Sequence, residues 1–178
     1  MKYFVISDIH GSATALEKAL SFFYSFGCDK ILLLGDILYH GPRNPIPEGY
    51  DNKKVCEILN PLKDIIISCR GNCEAEVCQM VLQFPTMQDF SVVVDENKTI
   101  FMTHGHIYAP EIKMPDNFDV FFYGHTHVQK LEKTVNGQII CNPGSTTFSK
   151  ENSPLGFAIY DNFKVQLYDL SGRLLKEV

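Results

Sequence analysis

What most constrains this chain is a repeated pattern: short apolar, strand-like runs, each ending beside side chains that bind metals. The run before Ser7 opens onto Asp8-Ile9-His10, Ile31-Leu32-Leu33-Leu34 onto Gly35-Asp36, and Ile65-Ile66-Ile67-Ser68 onto Arg70-Gly71-Asn72. Two later runs open onto His104-Gly105-His106 and His125-Thr126-His127, so five of the six histidines fall in three tight clusters. Runs of this length fit strands covered on both faces. Strand ends are where a rigid sheet presents chemistry, so carboxylate, amide and imidazole donors are expected to gather at such ends.

Lys2 to Ser7 reads as a buried strand. The turn at Asp8 to Gly11 leads into a helix capped by Ser12 or by a Thr14/Glu17 capping box, with Leu16, Leu20 and Phe23 on its apolar face. Gly27 ends that helix and Lys30 to Leu34 forms a second strand. After a loop stiffened by Pro42, Pro45 and Pro47, a helix from about Asn52 to Leu59 leads to a third strand at Asp64 to Ser68. This half alternates strand and helix as parallel βαβ units do.

From about Phe90 the strands follow one another closely: Ser91–Val94, Thr99–Thr103, Val120–Tyr123, Leu131–Val135, Gln138–Cys141, Phe157–Tyr160 and Lys164–Tyr168. Asn136-Gly137 and Asp161-Asn162 mark hairpins, so antiparallel pairing is expected there. The expected class is α/β (α+β), a four-layer αββα sandwich of two mixed β-sheets flanked by helices.

With 178 residues, 45% of them hydrophobic, and no linker, repeat or low-complexity tract, residues 1–178 are expected to form one domain. A net charge of −5 without a basic block argues against an extended nucleic-acid surface. The first apolar run is cut off at Asp8, far short of the ~20 residues of a membrane span, so a cytoplasmic protein with no membrane partner is expected. The six cysteines are expected mostly reduced and buried. Cys69, Cys73 and Cys78 are too widely spaced for the usual zinc knuckle, and no second pair follows.

A mixed set of histidines, aspartates and an asparagine suits Mn²⁺, Fe or Zn²⁺. Two ions roughly 3.5–4 Å apart can share a hydroxide and clamp a phosphate during in-line attack. Phosphoester hydrolysis is the natural use of such a set.

Each motif alone is weak; their order and number are not. Asp8-x-His10, Gly35-Asp36 with Gly41, Gly71-Asn72, His104 and Gly124-His125-Thr126-His127 resemble the calcineurin-like metallophosphoesterase family over nearly the whole chain. His40-Gly41-Pro42-Arg43-Asn44, Pro47-Glu48-Gly49-Tyr50, Arg70-Gly71-Asn72-Cys73-Glu74, Thr103-His104-Gly105-His106 and Asn142-Pro143-Gly144-Ser145 narrow this to its small YfcE-type bacterial phosphodiesterases.

The resemblance implies the metallo-dependent phosphatase fold. It also implies two divalent ions, Mn²⁺ before Zn²⁺, Fe²⁺ or Ni²⁺, and a hydroxide bridging them that attacks a small phosphodiester. Asp8, His10 and His127 would hold the first ion, and Asn72, His104 and His125 the second, with Asp36 bridging. The relatives further imply a homodimer or larger homo-oligomer.

Where many family members have a histidine after the Gly-Asn pair, this chain has Cys73. A thiol cannot protonate a leaving group as an imidazolium does, so esters with good leaving groups are expected substrates and phosphomonoesters weak ones. A phosphomonoesterase or nucleotidase is the alternative within this chemistry. A non-catalytic scaffold like the retromer subunit of the same fold is the alternative outside it, and it retains fewer ligands.

Asn72, Cys73, Arg43 and His106 are the expected substrate contacts. Arg43 lies just beyond Asp36, where a guanidinium grips phosphate bidentately, though a solvated loop explains it equally well. His106 is expected beside His104, supporting it. His40 carries no assigned role, and Phe22, Phe23 and Phe26 at helical spacing read as packing.

Overall fold

A computed structural model describes residues 1–178. Its elements run β1 (Lys2–Ile6), α1 (Ala13–Ser25), β2 (Lys30–Leu33), α2 (Asn52–Leu59), β3 (Ile66–Ser68), α3 (Glu76–Val81), β4 (Phe90–Asp95) and β5 (Lys98–Thr103). They continue as β6 (Val120–Phe122), β7 (Lys130–Lys133), β8 (Ile139–Asn142), β9 (Gly156–Asp161), β10 (Lys164–Asp169) and β11 (Leu174–Glu177). Two sheets result, ordered β11-β10-β9-β1-β2-β3 and β4-β5-β6-β8-β7.

Both sheets are mixed. β1, β2 and β3 are parallel, with Phe4 opposite Ile31 and Ile31 opposite Ile66, and β9 joins β1 antiparallel. β5, β6 and β8 are parallel, with β4 and β7 antiparallel at the edges. Both expected hairpins form, β7–β8 around Gly137 and β9–β10 around Asn162 and Phe163. Asn162 and Phe163 have φ of 49° and 62°, the left-handed pair a two-residue type I′ turn requires.

Side-chain alternation along the strands builds the layers. Phe4 and Ile6 join Ile31, Leu33, Phe157 and Ile159 against Leu16, Leu20 and Phe23 of α1 and Val55 and Leu59 of α2. Tyr3, Val5, Leu32, Ala158 and Tyr160 point the other way, onto Ile100, Met102, Val120, Phe122 and Ile139 of the second sheet. At about 1.5–3 kcal/mol for each large apolar side chain buried, this interlayer core fixes how the sheets stack.

The second sheet's outer face carries Phe101, Phe121 and Ile140, packed with Ala109 and Phe118. Its cover is the irregular segment 104–119 instead of a helix. Two elements go beyond the sequence expectation: α3, whose Val77, Met80 and Val81 are exposed, and β11, exposed throughout. Residues 60–65 form a 3₁₀ turn around Pro61, so the third strand, expected from Asp64, begins at Ile66. All six cysteines are free thiols; Cys69, Cys78 and Cys141 are buried and the others half-buried. No helix is long and apolar enough to cross a membrane.

Candidate metal centre

The three parallel strands of the first sheet and two of the second end at one edge of the sandwich, and the polar clusters follow them. Asp8 N donates to Gly35 O at 3.1 Å, His10 N to Asp36 O at 2.8 Å and Gly124 N to His104 O at 2.7 Å, so neighbouring loops hold one another. Asp8, His10, Asp36, His125 and His127 all have φ between 50° and 67°. Left-handed backbone costs a non-glycine residue of order 1–3 kcal/mol and clusters at functional sites. Gly124 has no room for a side chain, because a Cβ there would overlap Ser7 Oγ.

Each buried ring has its outer nitrogen committed. His10 Nδ1 donates to Tyr39 O at 2.9 Å, His104 Nδ1 to Leu34 O at 2.7 Å and His127 Nδ1 to Phe148 O at 3.2 Å. Nε2 of each thereby faces the cluster, a lone-pair donor wherever it carries no proton, the arrangement that orients metal-binding imidazoles. His10 Nε2 and His127 Nε2 stand 3.2 Å apart, lone pair toward lone pair. Asp8 Oδ2 is satisfied by Ser7 Oγ at 2.6 Å and His125 N at 3.0 Å, whereas buried Asp8 Oδ1 has no hydrogen-bond partner. Asp8 Oδ1 lies 3.5 Å from His10 Nε2 and 3.1 Å from His127 Nε2. Facing lone pairs around an orphaned carboxylate oxygen repel unless a cation sits among them, and nitrogens about 2.1 Å from one ion stand about 3 Å apart. The donor set fits a divalent metal.

A second group adjoins the first. Asp36 Oδ2 lies 3.7 Å from His10 Nε2 and 3.5 Å from His104 Nε2, and His104 Nε2 is 3.2 Å from Asn72 Oδ1. Asp8, His10 and His127 offer donor atoms all within 4.8 Å of one another, as do Asp8, Asp36 and His104. The ring of His125 is 5.1 Å from that of His104.

Glu74, which sequence reasoning left without a role, fixes this second group. Its buried carboxylate accepts from Asp36 N and Ile37 N at 2.7 Å each and from Gly71 N, tying the Asp36 turn to the Gly71-Asn72 turn. Its signal lay in the Arg70–Glu74 motif. Asn142 and Ser145 brace the other side: Asn142 Nδ2 donates to Gly124 O and Ser145 Oγ to Asp8 O, both at 2.8 Å.

The electrostatics follow from this crowding. Burial alone raises Asp8, but the charge on His104 and the rings of His10 and His127 outweigh it and hold Asp8 well below the usual carboxylate range. Burial lowers His104, but Asp8 and Asp36 overcome it and raise His104 to about 9. His10 is raised by the same contest, its burial outweighed by Asp8. Burial first, then His104, pushes His106 down to about 4 and lowers His125, with Lys150 adding to the effect on His125. Burial and the Asp36 carboxylate push the Cys73 thiol up, so it stays protonated.

Above these groups opens a cavity of about 290 Å³ bounded by His10, Asp36, Asn72, Cys73, His125 and His127 and, at the rim, by Gly41 to Asn44 and Lys150. Arg43 and Cys73 border it as expected; His106 does not, and instead packs beside His104 and His125. Lys150 was missed, since no motif surrounds it.

Residues 1–163 match the family model of the calcineurin-like phosphoesterase superfamily domain. The chain belongs to that superfamily. It is 43% identical to phosphodiesterase YfcE of Escherichia coli over 164 residues, 91% of this chain and 88% of that protein. It is 28% identical to phosphodiesterase MJ0936 of Methanocaldococcus jannaschii over 153 residues, 81% of this chain and 83% of that one. The solved structure of the Escherichia coli phosphoesterase superposes with a TM-score of 0.94 at 39% identity, covering 100% of this chain and 98% of the other. A Vps29 structure from Entamoeba histolytica shares the fold, with a TM-score of 0.68 at 21% identity over 100% of this chain and 98% of that one.

Proposed function

We propose that this member of the superfamily is a metal-dependent phosphodiesterase acting on small phosphodiesters, with residues 1–178 working as one domain. Asp8, His10 and His127 would hold one divalent ion and Asn72, His104 and His125 a second, with Asp36 shared between them. The observation that carries this reading is the convergence of His10 Nε2 and His127 Nε2, 3.2 Å apart, on the unpartnered Asp8 Oδ1. Ions held there would activate water and draw charge from the phosphate. Nitrogen and oxygen donors suit Mn²⁺, iron or Zn²⁺, and the family resemblance makes Mn²⁺ the first candidate.

The chain's own part is positional. Carbonyl groups of Tyr39, Leu34 and Phe148 hold three rings in one tautomer, and Glu74 sets Asp36 against Asn72. The large identity to a protein named phosphodiesterase supports the substrate class. Cys73 supports diesters over monoesters: with its thiol protonated beside Asp36, it offers the departing oxygen no cationic acid.

The test is to strip the protein with chelator, restore Mn²⁺, Zn²⁺, Ni²⁺ or Mg²⁺ singly, and follow bis-p-nitrophenyl phosphate beside p-nitrophenyl phosphate. Diester cleavage should return with metal and exceed monoester cleavage, and Cys73→His should shift the ratio toward the monoester. Dominant monoester cleavage by the unaltered protein would make it a phosphatase, and no hydrolysis with any metal would favour a binding role.

A further inference from the structure

The cavity over the metal centre is walled almost entirely by polar groups. Its lining includes no Phe, Tyr, Trp, Leu, Ile, Val or Met, and its three imidazoles are those of the proposed metal ligands, so an aryl, acyl or nucleobase arm finds no apolar surface. Two cations border it instead, Arg43 from the loop after β2 and Lys150 from the loop after β8.

Both are exposed and neither pairs with a carboxylate; eight other lysines are unpaired too, and what distinguishes these two cations is that they border the same cavity. Unpaired cations brought to one cavity by separate loops, in a chain of net charge −5, are what an anion site presents. A simple phosphodiester carries one negative charge, which ions held by the buried floor of Asp36, His10 and His127 would engage. The rim cations are left without an anion.

We propose that Arg43 and Lys150 form a second anion subsite, selecting phosphodiesters whose retained arm is short, polar and itself negatively charged. This rests on the phosphodiesterase reading and names its substrate class. Three p-nitrophenyl phosphodiesters sharing one leaving group test it, with a 2-carboxyethyl, a propyl or a choline arm.

With the metal-restored protein, kcat/KM should be at least about tenfold higher for the carboxyethyl ester than for the propyl ester, the size of one charge-assisted hydrogen bond, and lowest for the choline ester. The preference should sit in KM and shrink with added salt. Arg43→Gln with Lys150→Gln should bring the carboxyethyl-to-propyl ratio toward one. A second readout needs no turnover: by calorimetry 3-phosphonopropionate should bind more tightly than propylphosphonate, and the double variant should erase the difference.

Equal rates for carboxyethyl and propyl esters overturn the subsite and leave the phosphodiesterase standing, and a preference that survives both substitutions overturns its assignment to Arg43 and Lys150. If no diester is cleaved with any metal, the phosphodiesterase reading fails. The two phosphonates then still decide the subsite, with equal affinities counting against it.

Discussion

Asp8 divides its carboxylate between two tasks, Oδ2 held by Ser7 and His125 and Oδ1 left bare before three imidazoles. In the metal-free protein the raised pKa of His104, about 9, makes that ring a cation standing in for the ion. The sign of the consequence is definite. A histidine whose folded pKa exceeds its unfolded value of about 6.5 adds stability below that value, and the contribution is lost as pH rises through 9.

A metal must displace the same proton. Apparent affinity for Mn²⁺ should therefore rise about tenfold per pH unit between 6.5 and 9 for each proton released and flatten above, apart from hydroxide effects. Calorimetry at pH 7.5 in two buffers of different ionisation enthalpy should detect release of at least one proton. No release would mean that His104 is neutral before metal arrives.

At the scale of elements, α1 begins three residues after His10, and its cap locks it to the site loop. Ser12 Oγ accepts from Ala15 N at 3.2 Å and donates to Glu48 O at 2.6 Å. Of the two caps the sequence offers, this is the one that forms, and exposed Glu17 makes no reciprocal bond. Ser12→Ala should lower unfolding free energy by about 1–2 kcal/mol and Glu17→Ala by no more than a few tenths, read from urea midpoints. Equal losses would reinstate the Thr14/Glu17 box.

The contrast marks what was legible beforehand. β1, β2, β5, β6 and β9 were, because burial on both faces demands unbroken apolar runs. α3 and β11 were not, since they bury almost nothing and their residues carry no periodic pattern. The proposed ligands stand out in the sequence because each ends such a run. Lys150 was invisible for the opposite reason, a lone lysine in a loop whose meaning appears only when the cavity closes around it.

For the molecule as a whole, the centre joins the two sheets. Asp8, His10, Asp36 and Asn72 follow strands of the first, His104, His125 and His127 strands of the second, and each set follows strands that run parallel. Without ions that junction holds facing lone pairs and two neighbouring carboxylates; with ions it is a cross-link at the edge of a core that already stacks the sheets.

Binding confined to the folded state adds RT ln(1 + [L]/Kd), about 2.7 kcal/mol at a hundred times Kd. For a chain of this length each kcal/mol moves Tm by about 2–4 °C, so saturating Mn²⁺ or Zn²⁺ should raise Tm by roughly 5–11 °C and chelator should reverse it. Asp36→Asn should remove most of that shift, because Asp36, the proposed shared ligand, lies between His10 of the first sheet and His104 of the second. Far-ultraviolet and near-ultraviolet circular dichroism should move together, since the interlayer core admits no independent melting of one sheet. A Tm indifferent to every divalent ion would mean that the converging histidines serve the fold alone.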